Sequence, residues 1–306
     1  GFDYRTNIEY TVAADGSILV NSTIIPSTKG VIIPRIGYRM ELPEGFERMR
    51  WYGRGPLENY VDRKDATYVG VYDELVSDQW VNYVRAQEMG NREDLRWISI
   101  TNPDGIGFVF IAGDKMSASA LHATAQDMVD PANHRRLLHK YEVPMRKETV
   151  LCLDANQRPL GNASCGPGPM QKYELRSQPT VFSFIILPLE RSYSTEELIK
   201  KARVQMPVCM PVLIERDNNG YLNLKTNTPG ATVHYSLNGG EEKIYTEPFE
   251  FISGGHVEAY AVSEQLGKSA GTSAEFPIYV DRSLWKIVSV SSENEGEEAR
   301  NAIDGD

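Results

Sequence analysis

The chain has 306 residues, of which 41% are hydrophobic, and a formal net charge of −10. This length predicts two or more domains, and the negative charge argues against nucleic acid as a partner. No apolar run approaches the ~20 residues that a membrane-spanning helix requires, so no membrane span is expected. The 25 glycines, 17 prolines and 16 tyrosines favour strands and turns over helices.

Cysteine and histidine residues give no sign of a metal centre. Cys152, Cys165 and Cys209 have no metal-binding spacing, and the five histidines are scattered along the chain. His134 and His139 are five residues apart, a spacing that does not place them on one face of a helix or of a strand. The sequence therefore predicts no metal site and no cofactor.

The chain begins with alternating apolar segments at residues 7–12 and 18–20, with Asp15-Gly16 between them. An Asp-Gly pair between two such segments predicts a β-hairpin. Residues 31–42 continue as extended chain, with Pro34 expected at an edge or a bend.

Residues 51–64 combine aromatic side chains, two glycines, a proline and five charges. Gly53, Gly55 and Pro56 predict a tight irregular crossing instead of a long regular element. The polar side chains that follow are those of Glu58, Asn59, Asp62 and Arg63. They could satisfy the backbone groups that such a crossing leaves unpaired. From the residues alone, a structural corner is favoured over a ligand site.

This stretch resembles the Trp-x-Gly-x-Gly-Pro-x-Glu-Asn-Tyr-x-Asp-Arg signature of the C-terminal small-chain domain of family 2 β-galactosidases. Its matching positions are Trp51, Gly53, Gly55, Pro56, Glu58, Asn59, Tyr60, Asp62 and Arg63. Residues 83–97 resemble a second element of that family, Tyr-x-x-x-Gln-Glu-x-Gly-x-Arg…Arg-Trp. It contributes Gln87, Glu88, Gly90, Arg96 and Trp97. The resemblance implies an antiparallel supersandwich of the galactose mutarotase type over residues 1–192, in which these residues are structural.

Further strands are predicted within the same region, at residues 67–72, 97–101, 107–111, 149–153 and 180–187. Residues 117–125 are small and polar, and both a strand and a short helix remain open for them. Asn102-Pro103-Asp104-Gly105 predicts a turn.

The character of the chain changes at Ser194. Ser194 and Glu197 form a capping-box pattern that predicts a short helix, and the prolines up to Pro211 end it. We expect residues 193–211 to be a helical linker. Strands are then predicted at residues 221–227, 231–237, 243–252 and 256–262, a spacing typical of a small sandwich.

Two later segments resemble accessory modules. Residues 228–240, Thr-Pro-Gly-Ala-Thr-Val-His-Tyr-Ser-Leu-Asn-Gly-Gly, resemble the immunoglobulin-like chitobiase C-terminal repeat of bacterial glycoside hydrolases, which implies an Ig-like domain over 212–281. Trp285-Lys-Ile-Val-Ser-Val-Ser-Ser-Glu and the closing Asn-Ala-Ile-Asp-Gly-Asp resemble the start of a discoidin-type carbohydrate-binding domain. Residues 282–306 are therefore expected to be a truncated piece of such a domain.

The resemblance also bears on catalysis. Family 2 β-galactosidases use two glutamates about 5 Å apart on a (β/α)8 barrel. No run of alternating strands and helices here is long enough for that barrel, so no catalytic residue is assigned. Glu58, Glu88 and Glu93 are candidates only if this interpretation is wrong. We expect the chain alone to hydrolyse nothing.

Residues 154–169 contain a glycine- and proline-rich segment that resembles the family loop Gly-x-x-Ser-Trp or Gly-x-x-Ser-Cys-Gly-Pro. Where relatives carry Trp, the resemblance implies that the indole contacts sugar in the active site of the barrel. Here that position is Cys165, which offers no stacking surface. A substrate-adjacent loop of Asn162, Ser164 and Cys165 and a purely structural turn both remain open.

Mutarotases of the implied fold use a His and a Glu as general acid and base. His122, His134 or His139 with Glu88 could take those roles, although none lies in a mutarotase motif.

These resemblances together imply a non-catalytic accessory region of an exported bacterial β-galactosidase, in the periplasm or outside the cell. Its expected partners are galactosides, through the parent enzyme, and the missing (β/α)8 catalytic domain. The alternatives are a free-standing carbohydrate-binding module and a mutarotase-like sugar epimerase.

Overall fold

The computed structural model describes residues 2–161, 168–202, 209–280 and 286–290. Within these ranges the chain is almost entirely β-structure, with one α-helix, α1 (Thr195–Ala202). The strands are β1 (Tyr4–Val12), β2 (Ile18–Pro26), β3 (Arg35–Leu42), β4 (Arg48–Gly55), β5 (Tyr68–Leu75), β6 (Arg92–Thr101), β7 (Ile106–Leu121), β8 (Val129–Asp130), β9 (Asn133–Leu137), β10 (Thr149–Gln157), β11 (Thr180–Glu190), β12 (Leu213–Arg216), β13 (Tyr221–Lys225), β14 (Thr232–Leu237), β15 (Lys243–Ile244), β16 (Phe249–Glu250), β17 (Gly255–Ser263), β18 (Gly267–Lys268) and β19 (Thr272–Phe276). Short 3-10 helices lie at Val76–Gln79, Gln126–Met128, Lys140–Glu142 and Gln171–Tyr173. The predicted all-β fold is confirmed.

A nine-stranded antiparallel sheet dominates the first part of the chain. Its strand order is β1-β2-β11-β7-β6-β4-β5, and β10 pairs with both β7 and β3. The predicted hairpin is present as β1 and β2, where Val12 lies opposite Ile18. Gly16 sits in the connecting turn with a φ of 81°, a conformation that favours glycine.

Strand β7 changes partner along its length. From Ile106 to Ala112 it pairs with β11, and from Ser117 to Leu121 the same edge pairs with β10. The sequence left residues 117–125 open between strand and helix, and the structure shows strand as far as Leu121. Because residues 113–116 pair with neither β11 nor β10, the sheet splits at this point.

Strands β6, β7 and β11 are buried on both faces. Successive side chains of a strand point to opposite faces, and in these strands both sets are apolar. One face carries the main core, which includes Trp51, Ile98, Ile100, Phe110, Leu151 and Phe184. The other face carries Trp97, Val109, Ile111, Ile185 and Leu187, and Leu198 of α1 packs against them. The helix therefore covers this sheet instead of standing free as a spacer.

The capping box that begins α1 is confirmed. The backbone N–H of Ser194 donates to the Glu197 carboxylate at 2.7 Å, and the N–H of Glu197 donates to Ser194 Oγ at 3.2 Å. Each group satisfies a backbone donor that the first helical turn would otherwise leave unpaired.

The second part contains a three-stranded sheet, β12-β13-β16, and a five-stranded sheet built from β15-β14-β17-β18 with β19 on β17. The two sheets share one core. Leu222 and Leu224 of the three-stranded sheet pack in it with Val257 and Ala259 of the five-stranded sheet.

Two expectations about regular elements were wrong. Residues 243–252 are two short strands, because the chain leaves β14 after Ile244 and pairs with β13 only from Phe249, with Pro248 between. Residues 51–55 are part of β4, since glycine in a strand permits close backbone approach without breaking the ladder. The irregular crossing begins only at Pro56.

Within the described ranges, no helix has the length and apolar character needed to span a bilayer. The described His, Cys, Asp and Glu side chains likewise form no group of three or more suited to a metal ion. The segment interpreted as a discoidin-like start, 282–306, lies outside the described residues except for 286–290.

Candidate functional site

Glu58 joins the two sequence motifs that resemble the small-chain signature. Its Oε2 accepts the backbone N–H of Gly90 at 2.8 Å. Its Oε1 accepts Arg63 Nη2 at 2.6 Å and the hydroxyl of Tyr83. Gly90 has a φ of 77°, so glycine is favoured at the point where its amide turns towards the carboxylate. The charge on Glu58 thus stabilises the crossing after β4.

Asn59 makes a second link between the same segments. The side-chain Nδ2 donates to the carbonyl of Leu57 at 2.9 Å, and Oδ1 accepts the N–H of Glu93 at 2.8 Å. The backbone N–H of Asn59 donates to the carbonyl of Asn91 at 2.8 Å. Asn59 is fully buried, so its polar groups cannot bind water. These hydrogen bonds to protein groups satisfy them instead.

Trp51 lies fully buried at the centre of this region. Its Nε1 donates to the carbonyl of Arg54 at 2.9 Å, and Tyr72 stacks on the ring with a centroid separation of 5.2 Å. The guanidinium of Arg92 lies over the ring at 5.0 Å from the centroid. The indole is therefore a packing element, since no face of it is open to a sugar.

Gly53 and Gly55 are sites of close approach. A Cβ at Gly53 would lie 2.9 Å from the Cα of Leu95, and one at Gly55 would lie 2.8 Å from the ring of Tyr72. Both distances are too short for a side chain, so only glycine fits here.

Tyr60 is fully buried below the guanidinium of Arg63, which lies 4.7 Å from the ring centroid. Burial raises the pKa of Tyr60 well above its ordinary value, and its hydroxyl has no hydrogen-bond partner among the described residues. Asp62 Oδ1 is buried and likewise unpartnered there.

The other residues of the second motif occupy separate places. Arg96 lies over the ring of Tyr52 and donates to the carbonyl of Asp94 at 2.6 Å. Trp97 is buried on the opposite face of the sheet from Trp51, and Gln87 is half-buried. Glu58, Asn59 and Trp51 thus form a packed junction, whereas Trp97 lies on the other face of the sheet.

A second polar cluster was not predicted from the sequence, although it contains Glu88. Arg35 Nη2 lies 3.3 Å from Glu88 Oε1 and 3.2 Å from Asp154 Oδ2. Arg35 Nη1 also donates to the sulfur of Cys152 at 3.2 Å. The only sequence signals were the position of Arg35 beside Pro34 in the extended segment 31–42 and that of Asp154 after the apolar residues of β10.

Burial controls the protonation of this cluster. It raises the pKa of Asp154 to about 7, against the opposing effect of Arg35, and raises the pKa of the Cys152 thiol to about 11. A carboxyl group with a raised pKa beside a second carboxylate has the composition of a glycosidase acid–base pair. However, the Asp154 side chain is only 1% exposed, so it cannot reach a glycosidic oxygen. The cluster holds β3 against β10 through Arg35 and Asp154.

Of the three histidines considered for acid–base chemistry, two contact separate partners and the third lies on an exposed strand. His122 Nε2 lies 2.7 Å from Glu47 Oε2, and His139 Nδ1 lies 2.7 Å from the carbonyl of Val84. His134 lies on the exposed strand β9. None of the described contacts joins a histidine to Glu88.

The loop residues Asn162, Ser164 and Cys165 lie outside the described residues, so their placement near substrate stays a prediction. Glu93, the remaining carboxylate candidate, accepts a hydrogen bond from Asn91 Nδ2 at 2.8 Å, and burial raises its pKa.

Comparison with known proteins places these features in a family. Residues 2–186 match the family described as the β-galactosidase small chain. The chain is 31% identical over 154 residues to a β-galactosidase of Priestia megaterium, an alignment that covers 50% of this chain and 14% of that enzyme. It is 33% identical over 178 residues to a β-galactosidase of Bifidobacterium adolescentis, covering 56% of this chain and 16% of the relative. The chain is also 31% identical over 151 residues to a β-galactosidase of Kluyveromyces lactis, an alignment that covers 49% of this chain and 14% of that enzyme.

Proposed function

Because the chain belongs to the β-galactosidase small-chain family, we propose that it is a non-catalytic accessory region of a glycoside hydrolase that removes terminal β-galactosides. The observation that supports this most is the match over residues 2–186, which covers both signature motifs and all of the nine-stranded sheet except the last four residues of β11. The aligned part spans only 14% to 16% of the β-galactosidases compared. We therefore propose that the catalytic barrel belongs to a part of the parent enzyme outside this sequence.

The geometry of the carboxylates favours an accessory role. Glu58 is engaged by Arg63, Tyr83 and Gly90, and Asp154 is shielded from solvent. A retaining glycosidase needs two carboxyl groups about 5 Å apart that both reach the substrate. Glu58 instead pairs with the guanidinium of Arg63, and Glu88 and Asp154 both lie against that of Arg35.

We also propose a domain organisation for the chain. Residues 1–192 would form the small-chain domain, 193–211 a linker whose helix packs on that domain, and 212–281 an Ig-like spacer of the chitobiase C-terminal type. Residues 282–306 would begin a discoidin-like sugar-binding module. Such accessory modules suit an exported bacterial enzyme, so we propose a periplasmic or extracellular location for the parent.

The loop of Asn162, Ser164 and Cys165 would contribute to the active site of the parent barrel. The support is its resemblance to the family loop that carries Trp in other members. With Cys165 at that position, contact with sugar would rest on polar groups instead of stacking.

Hydrolysis of a nitrophenyl β-galactoside by the purified chain tests the accessory role. The proposal predicts a rate equal to the buffer rate under conditions in which an intact β-galactosidase turns the substrate over. Turnover above buffer would contradict it, and loss of that turnover in Glu88→Gln or Asp154→Asn would then locate the catalyst. Polarimetry of fresh α-galactose solutions tests the epimerase alternative, which predicts faster anomerisation with the chain present.

A further inference from the structure

Strand β1 is an open edge of the nine-stranded sheet. Among the described strands it pairs only with β2, and all nine of its residues are exposed. Proteins commonly protect such an edge with Pro, Lys or a β-bulge, because its free backbone groups are a template for another strand. β1 contains neither Pro nor Lys, and it pairs with β2 over its whole length without a shift in register. The edge is therefore open to pairing.

One face of β1 is apolar. Successive side chains of a strand point to opposite faces, so the even-numbered residues share one face. Tyr10 on this face lies opposite Val20 of the main core, and Val12 lies opposite Ile18, which packs on that core. The main-core face of the sheet thus continues onto β1, where a contiguous apolar patch marks an interaction site. The large side chains of this patch, which we name the β1 apolar face, are 39% to 69% exposed and belong to Phe2, Tyr4, Ile8, Tyr10 and Val12.

The free backbone groups of β1 belong to the same even-numbered residues. The N–H of Ala13 donates to the carbonyl of Ser17 at 2.9 Å, and the N–H of Ser27 donates to the carbonyl of Asp3 at 2.9 Å. In an antiparallel pair, alternate residues direct both backbone groups to the same neighbour. The odd-numbered residues therefore bond to β2, and the even-numbered residues direct their N–H and C=O groups to the open edge.

The other face of β1 carries charges that complement a second copy of itself. Its side chains include Arg5, Asn7, Glu9 and Thr11. When a second copy runs antiparallel with Asn7 opposite its own counterpart, Arg5 of each copy lies opposite Glu9 of the other. A register moved by two residues in either direction puts Asn7 or Thr11 opposite Arg5. Only the first register therefore makes the two symmetric charge pairs.

Both charges are available for such a pair. Glu9 has no hydrogen bond or ion pair with any described residue. Arg5 donates from Nη2 to the carbonyl of Ser273 at 3.2 Å. A guanidinium has five N–H donors, so Arg5 can keep this bond while it faces a carboxylate. The contact with Ser273 also leaves every residue of β1 exposed, so β19 does not cover the edge.

We propose that two copies of the chain pair antiparallel through β1, with Asn7 at the two-fold axis. The even-numbered residues then exchange backbone hydrogen bonds, and Tyr4 of each copy lies opposite Tyr10 of the other, so the two β1 apolar faces become one. A different protein would need a matching strand of its own, whereas β1 complements itself in charge and in backbone groups. This inference goes beyond the accessory role and does not rest on it.

Sedimentation velocity of the full chain tests the dimer. The net charge of −10 opposes self-association, so the buffer contains about 0.15 M salt, at which the Debye length is about 8 Å. Between about 1 and about 200 µM we expect the chain to pass from monomer to dimer, as for an interface of small area. A monomer throughout this range would overturn the proposal and leave the β1 apolar face to a different partner, such as another part of the parent enzyme.

Charge reversal tests the register. In Arg5→Glu two carboxylates face each other at both pairs, and in Glu9→Arg two guanidinium groups do. Each variant alone should dimerise about 10-fold or more weakly than the wild type. A mixture of the two variants again brings opposite charges together at both pairs, and it should dimerise as tightly as the wild type. Wild-type Kd values in both single variants, or weakened dimers that mixing does not restore, would overturn the proposal.

Tyr10→Ser tests the β1 apolar face without changing a charge. It should weaken dimerisation about 10-fold or more, because each dimer loses two rings from its interface. Tyr68→Ser is the matched control, since Tyr68 is 74% exposed on β5, at the other end of the strand order. Its Kd should equal that of the wild type. Equal Kd values in the two variants would overturn the proposal.

The test is independent of the accessory role. Sedimentation measures association and not hydrolysis, so a monomeric chain leaves the accessory role intact. Galactoside turnover by the chain would likewise not overturn the dimer. Position 10 is exposed, so Tyr10→Ser should melt near the wild-type temperature and keeps the proposal falsifiable if a charge variant fails to fold.

Discussion

The Glu58 carboxylate accepts the backbone N–H of Gly90 at 2.8 Å, and this bond connects the crossing after β4 with the segment that leads into β6. Thirty-two residues separate the two groups in the chain. The same carboxylate neutralises Arg63 at 2.6 Å. One side chain therefore links both signature motifs.

Replacing Glu58 tests the strength of this link. Glu58→Ala leaves the Gly90 amide unpaired and Arg63 without its carboxylate, and we expect the free energy of unfolding to fall by about 2–3 kcal/mol. Glu44→Ala is the control, because the side chains of the Glu44–Lys147 pair are 68% and 75% exposed. Its loss should lower the free energy of unfolding by less than about 0.5 kcal/mol. Urea unfolding followed by fluorescence suits both, since Trp51, Trp80 and Trp97 all lie in the small-chain part. Equal losses in the two variants would contradict the role of Glu58.

Gly53 tests the close approach of β4 and β6. In Gly53→Ala the new methyl group would lie 2.8 Å from Leu95 Cδ2 and 2.9 Å from Leu95 Cα, so the strands must move apart. We expect a loss of about 1–3 kcal/mol. Gly271→Ala, where nothing lies within 4 Å of the added Cβ, should be neutral or slightly stabilising. An unchanged free energy of unfolding in Gly53→Ala, measured by the same urea unfolding, would contradict the close approach of β4 and β6.

Part of the fold could be predicted from the sequence, and part could not. The capping box at Ser194 and the hairpin around Gly16 depend on neighbouring residues, so local patterns were sufficient. The path of β4 through Gly53 was mispredicted, because the reason for that glycine is Leu95 on another strand. Asp154 was missed as a site residue because its ion-pair partner Arg35 lies on another strand and is distant in the sequence. The partner change of β7 is similarly set by β10 and β11 and leaves no local signal.

Asp154 should make stability depend on pH. Burial holds its pKa at about 7 in the folded protein, against 3.8 as the ordinary value in an unfolded chain. The folded state therefore binds more protons between these values, and stability falls as the pH rises from about 4 to about 7. Between pH 5 and pH 8 we expect wild type to lose on the order of 2–3 kcal/mol relative to Asp154→Asn. Unfolding free energies that change in parallel for the two proteins would contradict the raised pKa.

Native thiol labelling tests the loop at Cys165. Cys209 is fully buried, and Cys152 is buried with its pKa raised to about 11, so both should react slowly with a maleimide. Cys165 lies in a glycine- and proline-rich segment, and we expect it to react first. One equivalent should be incorporated in the native chain and lost in Cys165→Ser, with three incorporated in urea. Labelling of Cys152 ahead of Cys165 would contradict this expectation.

The central claim, that this chain supports a galactosidase without supplying its catalytic groups, is tested most directly by reconstitution. The rate of nitrophenyl β-galactoside hydrolysis is measured for the chain, for the Priestia megaterium relative lacking the segment that aligns with it, and for their mixture. The account predicts no turnover by the chain alone and a higher rate in the mixture than in the truncated relative. Hydrolysis by the chain alone, at a rate that the mixture does not exceed, would contradict it.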